Sequence, residues 1–322
     1  MKLTTNLTND QGGFQDKLSL NIAGVHFRNP VIAASGTFGY GREYKGLLDI
    51  AALGGICTKG LTLTARRGNG GTRLWETASG LLNSIGLENP GIEAFIEKEL
   101  PRLNALGPVV IANLSGGSID EYRQGAELLS NSSVDMIELN ISCPNVKSGG
   151  VSFGLTVEAA VSVVKPVRSV CKKPLIVKLS PSAPNLAAVA RACEENGADA
   201  LSLVNTFTGM AIDIHKRRPV FDNITAGLSG PAIRPLALRM VWELYGQVNI
   251  PVIGLGGIAC ADDAIEFLMA GAAAIQVGSA TFANPRAMNQ IISGIETYMR
   301  KNGLRDINSF NLRQADKERK RD

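Results

Sequence analysis

Residues Pro251–Ala280 read PVIGLGGIACADDAIEFLMAGAAAIQVGSA. Two short apolar runs, Pro251–Ile258 (PVIGLGGI) and Ala274–Ala280 (AIQVGSA), flank a helical pattern over Asp262–Ala270. Neither run alternates apolar with polar residues. Short continuous apolar runs are how strands buried on both faces read, and a helix between two of them makes a parallel βαβ unit. The helix runs out in Met269–Ala272 (MAGA), small residues suited to a tight turn into the next strand.

The same unit recurs towards the N-terminus. Six earlier runs have the same character: Pro30–Gly36, Gly54–Leu61, Pro108–Gly116, Met136–Pro144, Pro174–Pro181 and Ala200–Thr206. Helical patterns fall at Ile92–Ala105, Asp120–Ser130, Val157–Cys171, Leu186–Asn196, Ile233–Tyr245 and Pro285–Lys301. Eight βα units in one chain of 322 residues predict a single (β/α)8 TIM barrel, an α/β fold of typical size. A doubly wound sheet would not need eight regular units. Leu18–Phe27 (LSLNIAGVHF) reads as a β-hairpin turning at Ala23-Gly24 and closing the barrel's bottom. Leu61–Pro90 and Phe207–Pro231 are long loops after strands 2 and 6. Both leave strand C-termini, the face where barrel active sites are built. The expected organisation is a polar N-terminal extension (1–17), a barrel (18–305) and a charged C-terminal tail (306–322), with both ends poorly ordered.

Composition narrows the function. Hydrophobic residues at 45% and charged residues at 19% describe a core-rich folded protein rather than a disordered one. No segment approaches the roughly 18 consecutive apolar residues of a spanning helix, and the N-terminus is too polar for a secretory signal. The five cysteines (Cys57, Cys143, Cys171, Cys193, Cys260) include no CxxC pair and read as reduced thiols of a cytoplasmic protein. Only His26 and His215 are present, which argues against a His-rich metal site; no metal is expected. Of the net charge of +4, the segment Arg313–Asp322 carries five Lys/Arg against three Asp/Glu, so the remainder gives no nucleic-acid footprint.

Informative residues cluster at strand C-termini: Ser35, Lys59, Asn113, Asn140, Cys143, Asn145, Lys178, Asn205, Thr206, Gly256, Gly257, Gly278 and Ser279. A lone Lys or Asn there is most often a turn or cap residue, but the joint pattern over the strands points to a site. The Gly-rich ends of strands 7 and 8 lie where barrels hold a phosphate on backbone N–H groups. Lys59 and Lys178 are inward lysines in need of a charge partner, for which an anionic ligand is the expected source. A Schiff base is their rival role. Cys57, Cys171, Cys193 and Cys260 read as small buried hydrophobes. Cys143, beside Pro144 on the active face with no His nearby, suits proton chemistry rather than acyl transfer.

Six strings then carry a resemblance: Glu138–Lys147 (ELNISCPNVK), Asn83–Gly91 (NSIGLENPG), Ala34–Tyr40 (ASGTFGY), Ala226–Ile233 (AGLSGPAI), Val252–Ile258 (VIGLGGI) and Val277–Phe282 (VGSATF). From about Leu18 to about Met299 the chain resembles dihydroorotate dehydrogenases, most of all the class 1B catalytic (FMN) subunit. The resemblance implies oxidation of (S)-dihydroorotate to orotate in pyrimidine biosynthesis. It implies FMN held by Ser35, Lys59, Gly60, Asn113, Asn140, Lys178, Val204, Gly230, Gly256, Gly257, Gly278 and Ser279. It places substrate against Lys59, Asn83, Ser84, Ile85, Gly86, Leu87, Asn140, Asn145, Asn205 and Thr206. Cys143 matches the family's base for the C5 proton, with hydride passing from C6 to FMN N5. It further implies a cytoplasmic homodimer within a heterotetramer, whose second subunit carries FAD and a [2Fe–2S] cluster and passes electrons to NAD+. Alternatives are a dihydropyrimidine dehydrogenase-like flavoprotein, a fumarate-linked class 1A enzyme, and a Schiff-base lyase on a phosphate-binding barrel.

Overall fold

The computed structural model describes residues 17–142 and 153–312. The chain enters its fold through a hairpin of β1 (Leu20–Ile22) and β2 (Val25–Phe27), paired antiparallel. Its turn residues Ala23 and Gly24 have φ of 50° and 85°. Positive φ at both positions matches the twist of the flanking strands. Asn21 fixes the turn by accepting from the Gly24 N–H at 2.8 Å. Ile22 and Phe27 are fully buried and pack against Ile32, Ile111, Met136, Ile176 and Ile253, inward residues of the barrel strands. The hairpin therefore stoppers the barrel, as its sequence indicated.

Eight parallel strands close into that barrel: β3 (Val31–Ala33), β4 (Gly55–Cys57), β7 (Val109–Leu114), β8 (Met136–Asn140), β9 (Leu175–Lys178), β10 (Ala200–Leu203), β15 (Val252–Leu255) and β16 (Ala274–Val277). Each pairs with its neighbour in chain order, and β16 pairs with β3. Their apolar runs conceal a period of two. Along β8, Ile137 and Leu139 join the outer core under the helices, while Met136 joins the inner cluster and Asn140 reaches a cavity. Both faces are buried, so both read apolar until the inward positions turn polar near the strand ends.

The two long loops are not structureless. The first forms β5 (Leu74–Thr77) and β6 (Gly80–Asn83). The second forms β11 (Phe207–Met210), the short β12 (Ile212–Asp213) and β13 (Arg218–Pro219), and β14 (Thr225–Ser229). They combine into one antiparallel sheet of order β11-β14-β6-β5, in which Gly227, Leu228 and Ser229 oppose Asn83, Leu82 and Leu81. This sheet is the lid of the barrel.

Three further points differ from the sequence reading. The helix expected over Ile92–Ala105 is two, Ile92–Lys98 and Leu100–Asn104, because Pro101 lacks an N–H and begins a new helix. Cys260 is exposed, not buried: it precedes the helix Ala261–Met269, where Asp263 accepts from the N–H groups of Ala259 and Cys260. Packing also continues past residue 305. Asp306 caps a turn of 3-10 helix, Ile307–Phe310, whose Ile307 and Phe310 are buried, with Phe310 stacked on Tyr298. Among the described residues no helix is long and apolar enough to cross a membrane. The ends 1–16 and 313–322 lie outside the described residues.

Candidate active site

The strand ends meet at one cavity under the lid. Ser35 follows β3, Lys59 and Gly60 follow β4, and Asn113, Asn140 and Lys178 stand at or near the ends of β7, β8 and β9. Val204, Asn205 and Thr206 follow β10, Gly256 and Gly257 follow β15, and Gly278 and Ser279 follow β16. The lid side adds Asn83, Ile85, Gly86, Leu87 and Gly230. All of these line the cavity. Ser84 does not. It is buried, and its hydroxyl accepts from the side-chain amides of Asn69 at 3.0 Å and Asn223 at 3.2 Å. Its neighbours face the cavity while it fastens the lid from behind. Cys143 and Asn145 lie outside the described residues.

Hydrogen bonds hold the asparagines in place. The Asn205 amide donates to Ser142 Oγ at 2.7 Å, and that hydroxyl donates to Asn140 Oδ1 at 2.8 Å. The Asn83 amide donates to the Gly227 carbonyl at 3.1 Å, linking the two halves of the lid.

The two lysines have protein partners, where the sequence reading expected an anionic ligand to supply the charge. Lys59 Nζ lies 3.6 Å from Glu88, which Arg73 also holds. Hydrogen bonding from Arg73, then the charge of Lys59, keeps the Glu88 carboxyl below the usual carboxylate range. Lys178 Nζ lies 3.7 Å from Glu138 in the barrel interior. Burial alone would raise the Glu138 carboxyl. The Lys178 charge, with hydrogen bonds from Gln276, Ser202 and Cys57, outweighs burial and holds it low. Cys57 beside it is driven far up by burial and by the Glu138 charge, so it is an inert thiol. Both histidines, His26 and His215, are exposed and outside the cavity.

This arrangement coincides with what comparison of the sequence shows. The family model for dihydroorotate dehydrogenase matches residues 17–299. The chain belongs to the dihydroorotate dehydrogenase family. A protein of Petrotoga mobilis named dihydroorotate dehydrogenase B (NAD+), catalytic subunit, is 62% identical over 285 residues, 88% of this chain and 95% of the relative. Proteins of the same name from Geotalea uraniireducens and Caldicellulosiruptor saccharolyticus are 53% and 52% identical, each over 90% of this chain and over 95% and 96% of the relative. The resemblance to class 1B read from the strings around Cys143 and Asn83 is thereby borne out.

A dihydroorotate dehydrogenase works with a flavin, and the cavity suits one. A Cβ at Gly278 would meet Ala34 Cβ at 3.7 Å and the Thr37 side chain at 3.9 Å, ordinary contact without a clash, and the residue itself lines the cavity. The buried side-chain oxygens Asn113 Oδ1 and Gln276 Oε1 have no hydrogen-bond partner among the described residues, and both residues line the cavity. Unsatisfied buried acceptors beside a cation fit the N–H and carbonyl edge of a flavin ring. Sequence reasoning missed Gln276. Its signal is a lone amide inside an apolar strand, two residues before Gly278 and so on the same face. It also missed Leu74, Ser229 and Phe282, which line the cavity from the lid and rim.

Proposed function

We propose that this chain oxidises (S)-dihydroorotate to orotate in pyrimidine biosynthesis, with FMN lying along the cavity floor. The carrying observation is that one cavity gathers Lys59, Lys178, a ring of asparagines, Gly256-Gly257 after β15 and Gly278-Ser279 after β16. Bound FMN would supply the hydride acceptor. The protein's part is binding, orientation and proton removal. The backbone at Gly256, Gly257, Gly278 and Ser279 would hold the FMN phosphate, and Ser35, Gly60, Val204 and Gly230 would border the cofactor. Lys178 would stabilise the negative charge that reduction adds. Asn83, Asn140, Asn145, Asn205 and Thr206 would read the pyrimidine, since amides offer both donors and acceptors to its imide edge. Lys59 would meet the anionic substrate. Cys143 would take the C5 proton; an ordinary thiol, with a pKa of about 8.5, does so more readily as pH rises.

The relatives' names, which include both NAD+ and a catalytic subunit, support a partner. We assign that partner FAD and a [2Fe–2S] cluster, in a cytoplasmic heterotetramer built on a homodimer of this chain. The chain reconstituted with FMN should reduce an artificial dye with dihydroorotate and leave NAD+ unreduced until the partner is added. Rapid NAD+ reduction by the chain alone would overturn the partner assignment. Efficient fumarate reduction would move the chain to the other soluble class.

A further inference from the structure

Beneath the cavity lies a buried carboxylate with no place in the chemistry above. Glu138 is fully buried at the middle of β8. Its Oε1 accepts from Asn113 Nδ2 at 2.7 Å and from the Cys57 thiol at 3.2 Å. Its Oε2 accepts from Ser202 Oγ at 2.8 Å and from Gln276 Nε2 at 2.7 Å. Lys178 Nζ stands 3.7 Å from Oε1. One side chain thus engages five other strands of the barrel, β4, β7, β9, β10 and β16.

An ionised carboxylate only accepts. It therefore settles which way two amides face. The NH2 groups of Asn113 and Gln276 must turn towards Glu138, so their oxygens turn away from it. Those are the two buried oxygens without a partner among the described residues. The same carboxylate tethers the ammonium of Lys178. Viewed from the cavity, the floor shows one cation and two acceptors in a fixed arrangement.

We propose that Glu138 is the positioning residue of the flavin floor, orienting Asn113 and Gln276 as acceptors and setting how much of the Lys178 charge the cofactor feels. The proposal rests on the FMN reading. Its sign follows from charge. The Lys178 cation favours the reduced, more negative flavin, and the Glu138 anion opposes it.

The test is a reductive titration of bound FMN in three proteins, each also titrated for FMN affinity. Wild type comes first: if it holds no flavin, the FMN reading falls and this proposal with it. In Glu138→Gln the counter-charge is gone, so the midpoint potential should move positive. The new amide also offers an NH2, so Asn113 or Gln276 must rotate, and FMN affinity should fall about tenfold. In Ser202→Ala, a small change outside the cavity lining, Glu138 loses a donor and its charge is less compensated. The potential should then move in the opposite direction, negative. Opposite shifts support the positioning role; general damage would move both variants the same way. Same-sign shifts, or wild-type potentials in both, overturn the proposal. If Glu138→Gln fails to fold, Ser202→Ala decides alone, and an unchanged potential there overturns it.

Discussion

Gly257 and Gly278 both follow barrel strands, yet their surroundings assign them different tasks. At Gly257, φ is 77° and a Cβ would lie 2.7 Å from Arg234 Cβ and 2.8 Å from the Gly230 carbonyl oxygen, so packing and backbone both require glycine. At Gly278 a Cβ would touch Ala34 and Thr37 only at ordinary contact distance, 3.7–3.9 Å, and a longer side chain has the cavity before it. Gly278→Leu should therefore fold with a near-wild-type melting temperature and lose bound flavin, as measured by the FMN-to-protein ratio. A normal flavin content in that variant would remove Gly278 from the cofactor site. The thiols make a second residue-scale prediction. Burial pushes Cys193 up to about 12 and raises Cys57 and Cys171, whereas Cys260 is exposed. Only the thiolate reacts. Native labelling at pH 8 followed by peptide mass mapping should modify Cys260 and spare those three. Raising the pH to 9 should still spare Cys193, because pH 9 remains well below its raised value. Rapid modification of Cys193 would contradict its placement.

At the scale of elements, legibility followed burial. The barrel strands could be read because each is short, buried on both faces and ends in polar residues, and the hairpin could be read from its two turn residues. The lid sheet could not. Its central contact joins Asn83 to Gly227, 144 positions away, and β5 is exposed throughout, so no local period announces it. Helix ends were legible to within a residue or two except at Pro101. The Glu138 network stayed hidden for a related reason: its partners come from separate strands, and sequence shows only a Glu inside an apolar run. Ser84 marks the same boundary, since the string that carries it identifies a cavity loop but not which side chains face inward. Ser84→Ala leaves the Asn69 and Asn223 amides short of an acceptor. It should destabilise the lid by about 1–3 kcal/mol. Limited proteolysis should then cut the 61–90 segment faster, while the flavin spectrum stays unchanged. Unaltered proteolysis would mean that Ser84 does not secure the lid.

For the whole molecule, the closed barrel, the hairpin below and the two-part lid above enclose a cavity reached by residues from all eight barrel strands and the lid. The central proposal is that this chain oxidises dihydroorotate, with Cys143 as the base for the C5 proton and bound FMN supplying the hydride acceptor. The most direct measurement is anaerobic stopped-flow absorbance of the FMN-loaded chain mixed with dihydroorotate, for wild type and Cys143→Ala. Wild type should bleach its flavin rapidly. Cys143→Ala should retain FMN and bleach about 10²–10⁴-fold more slowly, the usual cost of losing a general base. Absence of bleaching in the flavin-loaded wild type, or equal rates in the two proteins, would contradict the claim.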